Sequence, residues 1–497
     1  MFDFLVTETD RINDRISKGS KTAMTDIEII EEEIKDFKLS SKRTMMITGE
    51  RYFDGKHDIL NKKRTVIGED GELTEVKNLP NNKIVDNQYK KMVKQKNNYL
   101  LGKPFSIQCD NKDYAKLLKV VFNRAFLRLI KNVGENSLNC GIGYMYVYYN
   151  ESGELKFKRF KSHEIIPGWN DAEHTELGYF IRIYEVTTYE GKDKKIIEKV
   201  EVYDESGIHF FEFRNESLYP CEPFHRPYFT IAEGESETGY NWSKIPLIPF
   251  KYNDKETPLI QNVKSLQDGI NTILSNFQDN MEEDARNTIL VLVNYDGQNL
   301  GEFRKNLASY GAVKVKTVDG AEGDVRTLQV EVNCENYKSI VEIFKKAIIE
   351  NAMGYDAKDD RMSGNANQMN IQSMYSDIDL DANDMETEYQ AALEELLWFI
   401  NCHFANMGYG DFENEEVEIT FNRDMLINES EVIDCCNKSV DLSLETRIAN
   451  HPWVDDPQTE IDRIKKERTA NEGVMYGSAF GSPAPNDNKG GEGVNEE

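Results

Sequence analysis

No apolar run in this 497-residue chain approaches the roughly 20 residues that span a bilayer as a helix. The longest, "TILVLV", covers only 288–293. The N-terminus, "MFDFLVTETDRINDR", has no basic stretch followed by an apolar one, so no secretory leader is read there. A soluble protein made in a cytoplasm is expected. Paired cysteines are absent too. The seven cysteines (109, 140, 221, 334, 402, 435, 436) are odd in number and show no C-x-x-C spacing. That argues against a disulfide framework or a structural zinc site and for small, buried or half-buried thiols. The vicinal Cys435-Cys436 pair is read as packing on an amphipathic helix rather than as a redox centre. Cations are outnumbered: 60 Lys and Arg face 88 Asp and Glu, leaving a net charge of −28. Such a chain is poorly suited to gripping nucleic acid through counterion release. The same balance does not exclude a protein that must let DNA pass without sticking.

The local signatures of common chemistries are missing as well. No G-x-x-x-x-G-K-[ST] occurs, and "LLGKPF" lacks both the upstream glycine and a hydroxyl after Lys103. No G-x-G-x-x-G follows a strand pattern, so a motor ATPase is not expected. The seven histidines form no H-E-x-x-H or H-x-H, and no G-x-S-x-G elbow is present. The nearest approach to a metal loop is "SDIDLDANDMETE" (376–388). There Asp377, Asp379, Asp381 and Glu388 hold EF-hand positions 1, 3, 5 and 12. Ala382 stands where the turn needs glycine, and Asp384 where an apolar residue belongs. The plainer reading is a solvated acidic helix face.

What is present is a sequence of helices, then strands, then long helices. Residues 25–52 predict a helix, with Thr25 as its cap and Asp26 and Glu28 in its first turn. A second helix is predicted over 84–102, stopped by Gly102 and Pro104. A third, over 113–133, carries Leu117, Leu118, Val121, Phe122, Ala125, Leu129 and Val133 as one apolar stripe. From 142 to 251 the pattern is Tyr-, Phe-, Val- and Ile-rich strands separated by turns such as "NESG" and "DESG", an antiparallel β region. The segregation of helices from strands predicts an α+β fold. Residues 257–285 then predict a helix about 40 Å long, striped by Leu259, Val263, Leu266, Ile270, Ile273, Phe277 and Met281. A small α/β insertion follows, with strands "TILVLVNY", "AVKVKTV" and "VRTLQVEV" and helix "LGEFRKNLASYG". Helix 335–353 is marked by Tyr337, Ile340, Val341, Phe344, Ala347 and Ile348. The glycine-rich, charged "NAMGYDAKDDRMSGNANQM" (351–369) separates it from a long helix, about 370–405. A short strand and helices fill 411–472. The Gly-, Pro- and Asn-rich last 25 residues, 473–497, are expected to be a disordered tail.

Two long helices bracket the insertion, which therefore projects on a stalk. An apolar stripe on each stalk helix needs a partner, and oligomerisation supplies one; a heterologous interface closes into a ring. The order of elements resembles the portal proteins of tailed bacteriophages, particularly long-tailed phages of Gram-positive hosts. The resemblance is carried by "RYFDGKHDI" (51–59), "PNNKIVDNQYKKMVKQKNNYLLGKPF" (80–105), "NCGIGYMYVYYNESGELKFKRFKSHEIIPGWN" (139–170), "IPLIPFKYN" (245–253) and "DDPQTEIDRIKKERT" (455–469).

The resemblance implies a non-enzymatic ring, commonly of twelve subunits, at one capsid vertex of the virion, assembled in the host cytoplasm. It implies a wing (1–256), a stem (257–285 and 335–353), a clip (286–334), a tunnel loop (354–369), a long connecting helix (370–410), a crown (411–472) and a tail (473–497). Double-stranded DNA would pass through without sequence specificity. The terminase large subunit and the head–tail adaptor would dock on the clip, and scaffold and major capsid proteins would surround the ring. No cofactor or metal is implied. In the tunnel loop, Gly354 and Gly364 would supply backbone freedom, Lys358 and Arg361 would meet phosphates loosely, Met362 would pack between neighbouring loops, and Asn365 completes the DNA-facing set. Lys338, Lys345 and Lys346 are the candidate basic positions of the stem, with packing against a neighbour as the competing role. The alternative from another class is an intracellular metal-dependent hydrolase using the 377–388 carboxylates. An adaptor or minor capsid protein without a channel is disfavoured by length and by the stalked insertion.

Overall fold

The computed structural model describes residues 26–67, 71–77, 79–233, 236–284, 289–293, 299, 301, 316, 324–328, 334–356, 368–423, 429–454 and 457–478. They divide between a large unit, within 1–357 and 375–424, and a small one, within 358–374 and 425–497.

The helix predicted over 25–52 is two helices, α1 (Asp26–Leu39) and α2 (Ser41–Phe53). Ser40 turns extended between them, and its hydroxyl accepts the amide of Arg43, so a serine read as helix interior is a cap. A small hairpin, β1 (Thr65–Ile67) and β2 (Leu73–Glu75), precedes α3 (Gln88–Leu101). α3 starts four residues later than expected, where Asn87 accepts the amide of Lys90. After β3 (Ser106–Gln108), the helix predicted over 113–133 is again two, α4 (Lys112–Val121) and α5 (Arg124–Cys140). Asn123 breaks it by accepting the amides of Ala125 and Phe126. The apolar stripe survives the break, with Phe122 and Phe126 packed edge-to-face 4.8 Å apart. α5 ends at Gly141, at φ +85, where a Cβ would lie 1.9 Å from the carbonyl oxygen of Glu256.

The predicted antiparallel region is observed. β4 (Ile142–Tyr149), β5 (Leu155–Phe160), β6 (Ile165–Trp169), β7 (Leu177–Glu190), β8 (Asp193–Asp204), β9 (Gly207–Arg214), β10 (Ser217–Arg226), β11 (Phe229–Glu233), β12 (Ser236–Tyr240) and β13 (Leu247–Lys251) follow in order. They form a three-stranded sheet β13-β4-β5, a five-stranded sheet β10-β9-β8-β7-β6 and a ribbon β11-β12. Then come α6 (Ile260–Asp284), β14 (Ile289–Val293) paired antiparallel with β15 (Asp324–Leu328), α7 (Cys334–Asn351), α8 (Gln368–Asn406) and β16 (Glu418–Thr420), which pairs with β3. The small unit holds α9 (Glu429–Lys438), α10 (Leu444–Ala449) and α11 (Pro457–Ser478). The fold is α+β. Of the insertion, the outer two predicted strands are seen paired; "AVKVKTV" and "LGEFRKNLASYG" lie almost wholly outside the described residues. α11 carries helix to Ser478, so the first residues of the expected tail are helical, and 479–497 lie outside the description. The cysteines are not uniformly buried: Cys334 and Cys435 are exposed.

The core of the large unit packs α3, α5, β4, β13 and α8 through Tyr89, Val133, Tyr144, Phe250, Tyr389 and Phe399. A second cluster lays Ile34 of α1 on Ile181, Val200 and Phe211 of the five-stranded sheet. Glu256, buried beside Gly141, is bonded by Lys42 (2.5 Å) and His174 (2.7 Å). Burial raises its proton affinity, but those two partners outweigh it and hold the carboxyl down at about 2.

α6 departs from its predicted stripe. Leu259, Val263 and Ile270 are buried, but Leu266, Ile273 and Phe277 are only half-buried and Met281 is 44% exposed. The most buried positions of its second half are polar: Gln267, Asn271, Ser275 and Asp279, each 0% exposed and four residues apart. They face residues 82–87 and the first turn of α3, whose amides they satisfy. Asp279 accepts the amide of Asn82 (2.6 Å), Ser275 that of Ile84 (2.9 Å), Asn271 that of Asp86 (3.0 Å) and Gln267 that of Tyr89 (2.9 Å). The spacing is geometric. Two residues of extended chain advance about 6.6 Å, and four of helix about 6.0 Å, so the amides of Asn82, Ile84 and Asp86 meet successive turns, and the next turn takes the amide of Tyr89 at the start of α3. An apolar stripe there would leave those amides buried without acceptors. At the far end Asp279 also takes Lys62 (2.9 Å) and Arg64 (3.4 Å). Asn271 reaches His57 Nδ1 (2.8 Å), and the His57 ring stacks 4.4 Å from that of Tyr52.

Replacing Asp279 by Ala strands two cations and a backbone amide, and is expected to cost about 3 kcal/mol in urea unfolding followed by circular dichroism, with Asp279→Asn losing about half of that. Burial works against the Asp279 carboxylate, but the Asn82 amide and Lys62 outweigh it and hold its pKa below the ordinary 3.8. Its contribution is therefore complete above pH 3.8 and lost as pH falls through the lower folded value. Asp279→Asn should flatten that acid limb.

Candidate functional site

The charged, glycine-rich stretch between α7 and α8 begins at a tightly built root. α7 ends at Asn351, Met353 takes a positive φ of 49°, and the amide of Gly354 donates to Ile349 O (2.9 Å). Gly354 lies flat against α3: a Cβ there would sit 2.8 Å from Gln95 Oε1 and 2.9 Å from Met92 Sδ. A side chain there would have to displace the ends of Gln95 and Met92, and the glycine itself is buried and held by its amide bond. Gln95 clamps the next residue from both sides. Its Nε2 donates to Tyr355 O (2.8 Å) and its Oε1 accepts the Tyr355 amide (3.1 Å).

The Tyr355 ring packs 4.4 Å from that of Tyr375 in α8, which stacks 5.7 Å from Tyr99 of α3. The chain thus departs at Tyr355 and is back at Tyr375 within one aromatic contact. Beneath it lies Lys96, 3% exposed, whose Nζ is 2.6 Å from Asp381 and donates to Met353 O (3.2 Å). Burial pushes the Lys96 ammonium below its ordinary value, and Asp381 opposes the shift. Tyr252 donates to the same carboxylate (2.5 Å). One turn away Arg423 pairs with Asp379 (2.7 Å) and Glu386 (2.7 Å), and Tyr99 donates to Asp379.

These pairs account for the acidic run. α8 passes straight through Ala382, so positions 377–388 make no cation loop. Asp377 and Asp384 face outward as a solvated face would, but Asp379, Asp381 and Glu386 are occupied by Arg423 and Lys96. Among the described residues no group of His, Cys, Asp and Glu is placed to hold a metal ion, and two of the carboxylates on which the hydrolase alternative drew, Asp379 and Asp381, are taken up in ion pairs.

Of the predicted DNA-facing residues, Gly354 is at the root, while Lys358, Arg361, Met362, Gly364 and Asn365 lie outside the described residues. The stem candidates separate. Lys338 and Lys346 are each 78% exposed and stand 4.0 and 3.9 Å from Glu342 and Glu350. Lys345 is 2.8 Å from Asp86 and joins α7 to the 82–87 stretch instead. Sequence reasoning missed Gln95, Lys96 and Arg423. One signal was present: Lys96 falls on the stripe of α3 that carries Tyr89, Met92, Val93 and Leu100, where an unpartnered ammonium cannot stay buried.

Gln95→Ala removes both bonds to Tyr355 and should loosen only the root. Hydrogen exchange at the Tyr355 amide is expected to speed about tenfold, with global unfolding close to wild type. Unchanged exchange there would show that Gln95 does not hold the root.

Two comparisons with known proteins bear on this geometry. The family model described as phage portal protein, SPP1 Gp6-like, matches residues 34–473. The portal protein of Bacillus phage SPP1 is 28% identical over 471 residues, covering 93% of this chain and 90% of the relative. The portal protein of Clostridium phage phiCD119 is 27% identical over 442 residues, covering 86% of this chain and 93% of the relative. No helix among the described residues is long and apolar enough to cross a membrane. With its α+β body, a paired-strand insertion between two long helices and a rooted segment between α7 and α8, this chain belongs to the SPP1 Gp6-like family of phage portal proteins.

Proposed function

We propose that this chain is the subunit of a ring, commonly of twelve copies, that forms the channel for double-stranded DNA at one vertex of a phage capsid, in packaging and in ejection. The observation that carries the reading is the family match across residues 34–473. In this reading the wing is 1–256, α6 and α7 are the stem, 286–334 is the clip that meets the terminase large subunit and later the head–tail adaptor, and 411–472 is the crown. Scaffold and major capsid proteins contact the ring during assembly. ATP is hydrolysed by the terminase; this chain contributes a conduit and performs no chemistry.

The tunnel loop is the part of 354–369 beyond the Gln95 clamp. Its residues Lys358, Arg361, Met362, Gly364 and Asn365 face the DNA, and the clamp at Tyr355 gives them a fixed origin. Lys338 and Lys346 remain the stem positions available to phosphates. A subunit with a net charge of −28 offers passing DNA few cations for counterion release and keeps the duplex towards the axis. Sliding stays easy for the same reason.

Deleting residues 358–365 is expected to leave assembly intact by native mass while sharply lowering nuclease-protected DNA in packaged heads. Heads that package and retain DNA at wild-type levels with this deletion would remove the loop from the DNA path.

A further inference from the structure

Charge in this chain is unevenly placed. Residues 88–140 contain eleven Lys and Arg, of which Lys96 is buried against Asp381, against two Asp and one Glu, a surplus of eight within a chain of −28. They form α3, α4 and α5. α3 and α5 lie side by side, joined by the Lys94–Glu135 ion pair and by Asn97 donating to Lys131 O (2.9 Å). Lys90 and Lys94 both stand 5.0 Å over the Phe53 ring. Arg159 of β5 extends the face by donating to Asn132 O (3.0 Å). Lys91, Arg124 and Arg128 are exposed, and none of the three forms an ion pair among the described residues.

The complement is elsewhere on the same unit. A groove of about 1130 Å³ runs beside α8, lined by nine carboxylates and only two lysines, Lys244 and Lys251. Glu388, Glu394, Glu395, Glu413, Glu415 and Glu416 are the glutamates along α8 and the chain after it. None of these six forms an ion pair among the described residues. Burial pushes the Glu395 carboxyl up to about 7, and Lys244 pulls it only part of the way back. The groove is somewhat larger than a typical small-molecule site.

We propose that the basic face of α3 and α5 on one copy of this chain docks into the acidic groove beside α8 on the next copy. The inference rests on the ring reading and names the contact that would close it. Two different patches of one chain make the interface heterologous, and repeating it generates a ring when the rotation between copies closes. Single exposed ion pairs are weak, so the contact depends on several together.

The test uses the full chain in sedimentation velocity and native mass measurement. Lys91→Glu/Arg124→Glu/Arg128→Glu reverses the basic face at exposed positions, and Glu394→Lys/Glu413→Lys/Glu416→Lys reverses the groove. Each variant alone is expected to fold with wild-type circular dichroism and to raise the concentration for ring formation by about tenfold or more. Mixed in equal amounts they should recover rings, because each reversed patch then meets a reversed groove on the other variant. Variants that form rings alone at wild-type concentrations, or a mixture that fails to recover them, overturn the interface while leaving the ring reading in place. Intact rings with lost binding to duplex DNA also overturn it, and assign the basic face to nucleic acid. If the wild type forms no ring at any concentration, the ring reading fails with it.

Discussion

The large unit is organised around four polar side chains on one face of α6. Gln267, Asn271, Ser275 and Asp279 turn a helix that reads as amphipathic into a template for an extended backbone. That backbone leads directly into α3. α3 is the element that holds the departure point of the α7–α8 segment, through Gln95 and Lys96. Lys345 of α7 closes the circuit by binding Asp86 in the middle of the template. α6, α7, the approach to α3 and the root of the segment therefore share one hydrogen-bonded frame. Removing a buried acceptor from it exposes the cost of an unsatisfied amide, which is why polar residues and not leucines occupy the buried face. Polar ladders also fix register: a one-residue slip of 82–87 would turn its amides away from their acceptors at once.

Much of this was legible in the sequence, and the failures have common causes. The antiparallel region, the paired strands of the insertion and the long helices followed from residue type and period. The helix breaks at Ser40 and Asn123 did not, because a cap and a tolerated helix interior residue look alike when the apolar stripe continues across them. The second half of α6 was misread for a related reason. Its apolar residues do keep helical spacing, but burial there is decided by a neighbouring backbone that no window of sequence contains. The site was less legible still. Gly354 suggested freedom and is in fact buried and held by its amide bond. Lys345, read as a stem cation, has a carboxylate partner 259 positions earlier in the chain. Lys96 could have been found, since a lysine on an apolar stripe demands a buried counter-charge, and Asp381 supplies it.

The functional reading joins this frame to the charge distribution. A portal subunit must hold one segment in register while offering passing DNA little to bind. The frame addresses the first requirement by clamping Tyr355 against Tyr375 and Tyr99. The acid excess addresses the second. The same excess sets a problem for assembly, since subunits of −28 repel one another. A surplus of cations concentrated on α3 to α5 is the natural place for neighbouring subunits to meet.

The central claim is that this chain closes into a ring around an open channel. Negative-stain electron microscopy of the purified protein, with native mass determination on the same sample, addresses it most directly. The account predicts ring-shaped particles with a central hole and about twelvefold symmetry, at a mass matching that number of subunits. A compact monomer or dimer at every concentration and salt would contradict it.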